Sequence, residues 1–178
     1  RRMQETRPNP PKEHSTSPRP AREIRWNCPV AAKCGGCQLT RLSYAEQLQW
    51  KQQRVAELLD GICEVRPILG MDDPFHYRNK VHAVLAVDKA GRPISGVYAM
   101  GTHRVVPVRH CLIEDRRADR IIQTIVAMLP AYKLRIYNEY THRGFLRHIL
   151  IRTGHVTGQI MVVLVATSLE FPLSLIHI

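Results

Sequence analysis

Residues 76 to 108 read HYRNKVHAVLAVDKAGRPISGVYAMGTHRVVPV, and this stretch decides the fold. Its apolar residues alternate with polar ones at a period of two, which predicts three successive strands. Two turn-forming sequences separate the strands, Asp88-Lys89-Ala90-Gly91 and then Gly101-Thr102. Because parallel strands need a long crossover, connections of this length predict antiparallel neighbours.

Two helices are predicted, one before and one after this stretch. Ser43-Tyr44-Ala45-Glu46 is typical of a capping box and predicts a helix that runs to about Asp60. A second helix is predicted over about 114–129 and ends at Pro130. Its apolar residues recur at helical spacing and should face the core: Ala118, Ile121, Ile122, Ile125 and Leu129.

The alternating pattern extends well beyond the opening stretch. The complete set of predicted strands is 62–69, 76–87, 94–100, 104–108, 134–140, 145–153 and 159–167. A parallel doubly wound sheet would need a helix after nearly every strand, and these connections are too short for that. The sequence therefore predicts the α+β class, with a mainly antiparallel sheet, two helices and a cysteine-rich loop that binds a metal cluster.

The length of 178 residues suits one domain with a tail. Residues 1–27 hold five of the twelve prolines, several arginines and few apolar side chains, so a disordered basic tail is expected there. The predicted domain covers 28–172, and 173–178 reads as a truncated end.

No apolar run approaches the roughly 20 residues of a membrane helix, and no secretory signal is visible. We expect a cytoplasmic protein.

The charge of the chain points to a polyanionic partner. Lysine and arginine number 26 against 15 acidic residues, which gives a formal net charge of +11. Such an excess favours nucleic acid through counterion release and long-range attraction.

Three of the five cysteines lie in one glycine-containing loop, Cys28-Pro-Val-Ala-Ala-Lys-Cys34-Gly-Gly-Cys37. The two glycines leave the backbone free to turn its N–H groups toward the sulfurs. Cys111, which follows His110 just before the second predicted helix, is the natural candidate for a fourth thiolate ligand. Cys63 lies in an alternating segment and is expected to be a small buried hydrophobic residue.

An iron–sulfur centre, an all-cysteine zinc site and disulfides all compete for this pattern. An odd cysteine count in a cytoplasmic chain disfavours disulfides. Zinc sites usually use two close cysteine pairs, whereas three cysteines in one loop with a distant fourth are typical of iron–sulfur proteins. A 4Fe-4S cluster is therefore favoured over zinc.

Four motifs occur in order along the chain: CPVAAKCGGCQL from Cys28, YAEQLQWK from Tyr44, FHYRNK from Phe75 and RHCL from Arg109. Over about 26–172 the chain resembles the RNA uracil-5 methyltransferases, in particular the type that modifies 23S rRNA. The resemblance implies that Cys28, Cys34, Cys37 and Cys111 bind a 4Fe-4S cluster in a central domain. It also implies S-adenosylmethionine-dependent methylation of a uridine C5.

In the family that the chain resembles, a cysteine thiolate adds to C6 of uracil, the activated C5 accepts the methyl group, and a carboxylate removes the C5 proton. Those groups and the S-adenosylmethionine site lie in a C-terminal α/β domain. No cysteine follows Cys111 and no cofactor-binding Gly-rich turn is visible. The chain is therefore expected to be an inactive fragment that covers the central domain, with no catalytic residue and no S-adenosylmethionine-binding residue of its own.

The expected partner is RNA, with 23S rRNA implied by the resemblance. Cationic side chains on one sheet face, on loops and on the exposed side of the first helix should contact it. The candidates are Lys51, Arg54, Arg78, Lys80, Arg104, Arg109, Arg147, His148 and Arg152.

Two alternatives from other functional classes stay open. One is a non-enzymatic zinc or iron–sulfur RNA-binding module, which the charge and the cysteines fit equally well. The other is an electron carrier, which the net charge of +11 disfavours.

Overall fold

The structure, a computed structural model, describes residues 24–168. Its centre is a five-stranded antiparallel sheet with the order β3-β2-β1-β4-β5. The predicted α+β class is confirmed. The elements are α1 Ala31–Cys34, α2 Tyr44–Leu58, β1 Lys80–Val87, β2 Pro93–Tyr98, β3 Val105–Pro107, α3 Arg116–Met128, β4 Leu146–Thr153 and β5 Ile160–Ala166.

The first long helix begins as the sequence predicts, and α3 begins two residues after the predicted start. The Ser43 side chain accepts a hydrogen bond from the Glu46 N–H, and the Glu46 carboxylate accepts one from the Ser43 N–H, which completes the capping box of α2. At α3 the Asp115 carboxylate caps the Arg117 N–H at 2.8 Å.

One face of the sheet packs against α3 and forms the core. Alternate residues of the central strands, among them Val81, Leu85, Ile149 and Ile151, are buried there. They meet the apolar side of α3, where the predicted inward residues are buried or partly buried: Ala118, Ile121, Ile122, Ile125 and Leu129. A hydrogen bond from Gln123 to the Ser95 hydroxyl, 3.1 Å long, also joins α3 to this face.

The opposite side of the sheet is called the open face. Alternation along each strand and the register between strands place one set of side chains on it, since directly paired residues project to the same side. Lys80 pairs with Arg152, His148 with Val84, Val84 with Gly96, and Tyr98 with Val105. The open face is defined by Lys80, His82, Val84, Tyr98, Val105, His148 and Arg152.

Gly96 marks a close approach between β2 and β3. A Cβ built at this position would collide with the Val106 carbonyl oxygen of the neighbouring strand. Only glycine lets the two backbones come this close.

The structure corrects several local predictions. Residues 62–69 form no strand, because their segment packs on α2: the Met71 N–H donates to the Tyr44 hydroxyl at 2.7 Å, and Gln52 donates to the Arg66 carbonyl. Cys63, which follows the turn after α2, is exposed rather than buried. The strand predicted from His76 begins only at Lys80, and the short helix α1 was not predicted.

The segment predicted as a strand over 134–140 contributes only isolated backbone β-bridges, Ile136 with Leu146 and Asn138 with Arg143.

None of the helices between residues 24 and 168 is long and apolar enough to cross a membrane. Most of the predicted tail, 1–23, and all of the predicted end, 173–178, lie outside the described residues.

Candidate functional site

The cysteine loop folds around the one-turn helix α1. Its N-terminal turn is fixed by the Ala31 N–H, which donates to the Cys28 carbonyl, and Gly35 ends it with a φ of 68°. A Cβ on Gly36 would lie 3.2 Å from the Cys34 sulfur. The two glycines therefore let the chain reverse beside the thiols.

The three thiols of this loop lie close enough to influence one another. Burial raises the pKa of Cys37 above its ordinary value, and the Cys34 and Cys28 thiols add to the rise. The Arg78 guanidinium lowers the pKa of Cys37 and partly offsets those effects. All three cysteines are half-buried.

Cys111 lies beside a pair of buried carboxyl groups. Burial raises the pKa of the Cys111 thiol to about 11, and its own N–H donates to the Asp119 carboxylate at 3.0 Å. Burial and the nearby Asp119 together raise the pKa of Glu114 to about 7. Glu114 also raises the pKa of both Cys37 and Cys111, so the loop and Cys111 share one carboxyl neighbour.

The donor set suits a soft metal or an iron–sulfur cluster, because it offers half-buried thiols with an arginine beside them. The side chains are not gathered at ligand distances: residues 24–168 contain no group of three or more His, Cys, Asp or Glu side chains arranged to hold a metal ion. The ligand set Cys28, Cys34, Cys37 and Cys111 stays a prediction. Cys63, exposed beyond the end of α2, lies apart from the loop in sequence.

The structure gathers several of the predicted RNA contacts on the open face. Lys80 lies opposite Arg152 at one end, and both side chains are exposed. In the middle the rings of His82 and His148 meet edge to face with 4.8 Å between centroids. Arg147 lies next along β4, and its guanidinium stacks 4.5 Å above the Tyr137 ring.

The remaining predicted contacts are distributed elsewhere. The backbone of Arg78 forms an isolated β-bridge with that of Glu114, and its side chain is near enough to Cys37 to lower the pKa of that thiol. Arg78 therefore lies by the cysteine loop rather than beside Lys80 on the open face. Arg104 and Arg109 are exposed on either side of β3. Lys51 and Arg54 are exposed on α2, where Arg54 also pairs with Glu57 at 3.6 Å.

Sequence reasoning missed a second cluster, centred on the Glu139 carboxylate. Tyr98 donates a hydrogen bond to it at 3.1 Å, His103 lies 2.9 Å from it and Arg147 lies 3.6 Å from it. These partners lower the pKa of Glu139, with the His103 hydrogen bond contributing most. They come from distant parts of the chain, so no local pattern could have brought them together.

Comparison with known proteins finds similarity to RNA methyltransferases. Over 156 residues the chain is 41% identical to a Clostridium tetani protein described as an uncharacterized RNA methyltransferase, covering 85% of this chain and 34% of that protein. A protein of Halalkalibacterium halodurans, described in the same way, is 39% identical over 150 residues, covering 82% of this chain and 32% of that protein. The chain is a relative of RNA methyltransferases. It spans about a third of the length of these relatives.

A solved structure shares the fold of this RNA methyltransferase relative. The tRNA (uracil-54, C5)-methyltransferase of Pyrococcus abyssi, in complex with S-adenosyl-L-homocysteine, superposes with a TM-score of 0.63 at 24% identity. The match covers 77% of this chain and 33% of that one. No family model matches the chain.

Proposed function

We propose that the chain is the RNA-binding and cluster-binding part of an S-adenosylmethionine-dependent RNA uracil-C5 methyltransferase. One observation carries the proposal: in a relative of RNA methyltransferases, Lys80, Arg152 and the His82–His148 ring pair meet on a single sheet face. Cations position a phosphate backbone, while aromatic rings accept unstacked bases. Single-stranded RNA has both features, a phosphate backbone for the cations and unstacked bases for the rings.

The proposed reaction belongs to the whole protein. A methyl group leaves the sulfur of S-adenosylmethionine for C5 of uracil, and the C5 proton is lost to a base. The Pyrococcus relative is named for C5 of a uracil and was solved with S-adenosyl-L-homocysteine, which supports the same cofactor here. The motif resemblance favours 23S rRNA as the substrate. Since no catalytic group is assigned to this chain, we expect it to be inactive alone.

In this proposal Cys28, Cys34, Cys37 and Cys111 hold a 4Fe-4S cluster. Bound there, the cluster would supply a covalent cross-link between the cysteine loop and the segment before α3. Its role would be structural rather than redox, because methyl transfer requires no electron flow. Arg78 beside Cys37 would offset the negative charge of the thiolates.

The test is RNA binding by a double variant of the open face, Lys80→Ala with Arg152→Ala. Each phosphate contact on single-stranded RNA contributes about 0.7 to the slope of log affinity against log salt. Loss of two contacts should lower that slope by about 1.4 and reduce affinity at low salt on the order of tenfold. Filter binding of a labelled single-stranded 23S rRNA segment over a salt series measures both.

The matched control is Lys89→Ala with Arg120→Ala, which removes the same charge from the β1–β2 turn and from exposed α3. It should leave the slope close to that of the unaltered chain. Equal losses in both double variants would mean that net charge alone binds RNA, and the open-face proposal would be wrong.

The alternative is a non-enzymatic zinc or iron–sulfur RNA-binding module, which would give the same binding result. Methyl transfer separates the two. Radioactive methyl groups from S-adenosylmethionine should enter unmodified 23S rRNA when the whole protein is present, and their absence would favour the module.

A further inference from the structure

A cavity of about 220 Å³ opens at the end of the open face away from the Lys80–Arg152 pair. Its floor is the apolar surface of Val84, Ala86 and Val105, and its rim includes Tyr98, Tyr137 and His148. Pockets for drug-sized ligands measure roughly 300–1,000 Å³. This one, named here the Tyr98 cavity, therefore has room for a single flat ring system.

The polar rim of the Tyr98 cavity is held in place before any ligand arrives. The Tyr98 hydroxyl and His103 are fixed by Glu139. The Arg147 guanidinium lies over the Tyr137 ring and 3.6 Å from that carboxylate. Side chains already fixed in this way lose little conformational freedom when they bind a ligand.

One aromatic ring of the cavity is almost fully exposed. The Tyr140 side chain lines the cavity and is 89% exposed. An exposed aromatic ring offers an unpaired base a surface on which to stack.

We propose that the Tyr98 cavity is a subsite for one unpaired nucleobase of RNA. The base stacks among the aromatic rings and the Arg147 guanidinium, above an apolar floor. The Glu139 carboxylate disfavours a phosphate in the same place, since like charges repel. Phosphates would instead follow the open face toward Lys80 and Arg152. This inference rests on the proposed RNA-binding function.

The test compares two labelled probes of equal backbone charge: a single-stranded RNA 12-mer of uridines, and an abasic ribose-phosphate 12-mer. The complete chain should bind the base-containing probe more tightly, by about tenfold if one base stacks. Fluorescence anisotropy at one fixed salt concentration gives both affinities.

The variant is Tyr140→Ala, which removes an exposed aromatic ring from the cavity, and the matched control is Tyr77→Ala, an exposed tyrosine outside it. Tyr140→Ala should greatly reduce the preference for bases yet leave binding of the abasic probe unchanged. Because the Tyr140 side chain is 89% exposed, the variant should keep the thermal stability of the unaltered chain, which separates a binding role from a structural one. Tyr77→Ala should change neither affinity.

The outcomes are distinguishable. If neither probe binds, the proposed RNA function fails and this inference fails with it. If both probes bind equally, or if Tyr140→Ala keeps the preference for bases, the RNA function survives and the Tyr98 cavity is not a base subsite.

Discussion

Asp115 stabilises the start of α3 in two ways. Its carboxylate accepts the Arg117 N–H at 2.8 Å, and it pairs with the Arg117 guanidinium at 2.7 Å. The guanidinium hydrogen bonds contribute most to holding the pKa of Asp115 at about 2. An unfolded aspartate has a pKa of about 3.9. The ionised carboxylate is therefore favoured by folding.

We predict that Asp115→Ala lowers the free energy of unfolding by about 1–2 kcal/mol at pH 7, because a helix cap and an ion pair are both lost. The folded pKa lies below the unfolded one. The contribution of Asp115 is therefore complete above about pH 4 and disappears as the pH falls toward 2. Urea unfolding at pH 7 and pH 3 measures the difference.

The control for this prediction is Asp72→Ala, an exposed aspartate outside the helices, which should change stability by less than about 0.5 kcal/mol. A destabilisation by Asp115→Ala that stayed the same at pH 3 would contradict the role assigned to the charge.

Residues whose partners are near in sequence were predictable, and residues whose partners are distant were not. Ser43 and Glu46 are three positions apart, so their capping box could be predicted. Tyr98 and Glu139 are 41 positions apart, and only the fold brings them together. The exposure of Cys63 was missed because alternation cannot tell whether a segment pairs with a strand or packs on a helix.

Among the elements, β5 is the exposed edge of the sheet. It reads IMVVLVA, and most of its side chains are exposed on both faces. In the described part of the chain no strand pairs with its outer edge. Natural edge strands usually carry a charge, a proline or a bulge that prevents pairing with another molecule. β5 has neither charge nor proline.

We predict that the isolated chain self-associates through β5 and that Val163→Lys suppresses this association, because a charge on an edge strand opposes pairing. Sedimentation velocity over a concentration series is the measurement. Val156→Lys, the same substitution in the β4–β5 turn, is the control and should leave association unchanged. Equal solubilisation by both substitutions would mean that added charge, and not the β5 edge, is responsible.

At the scale of the whole molecule, the cysteine loop and Cys111 lie in two different parts of the fold. α2 packs on the segment that follows it through Tyr44 and Met71, whereas α3 packs on the sheet. The cysteine loop precedes α2, and Cys111 precedes α3. A shared cluster would fix these two parts to each other, which is the structural role proposed for it.

We predict that the chain, expressed without oxygen, contains about four iron and four sulfide, and that Cys111→Ser loses both together with the visible absorption of the cluster. Cys63→Ser is the matched control and should retain them, since Cys63 is exposed and outside the loop. Iron, acid-labile sulfide and zinc are measured together. Stoichiometric zinc without sulfide would refute the iron–sulfur centre and favour the zinc-bound module.

Gly96 has a consequence for how the gene can vary. Every single-nucleotide change of a glycine codon that alters the amino acid introduces a Cβ or stops translation, and any Cβ at this position meets the Val106 carbonyl oxygen. Related sequences that keep the β2–β3 pairing must therefore keep a glycine codon at position 96. Mutational scanning should find position 96 intolerant even of alanine, although Gly96 is neither a predicted ligand nor a predicted RNA contact.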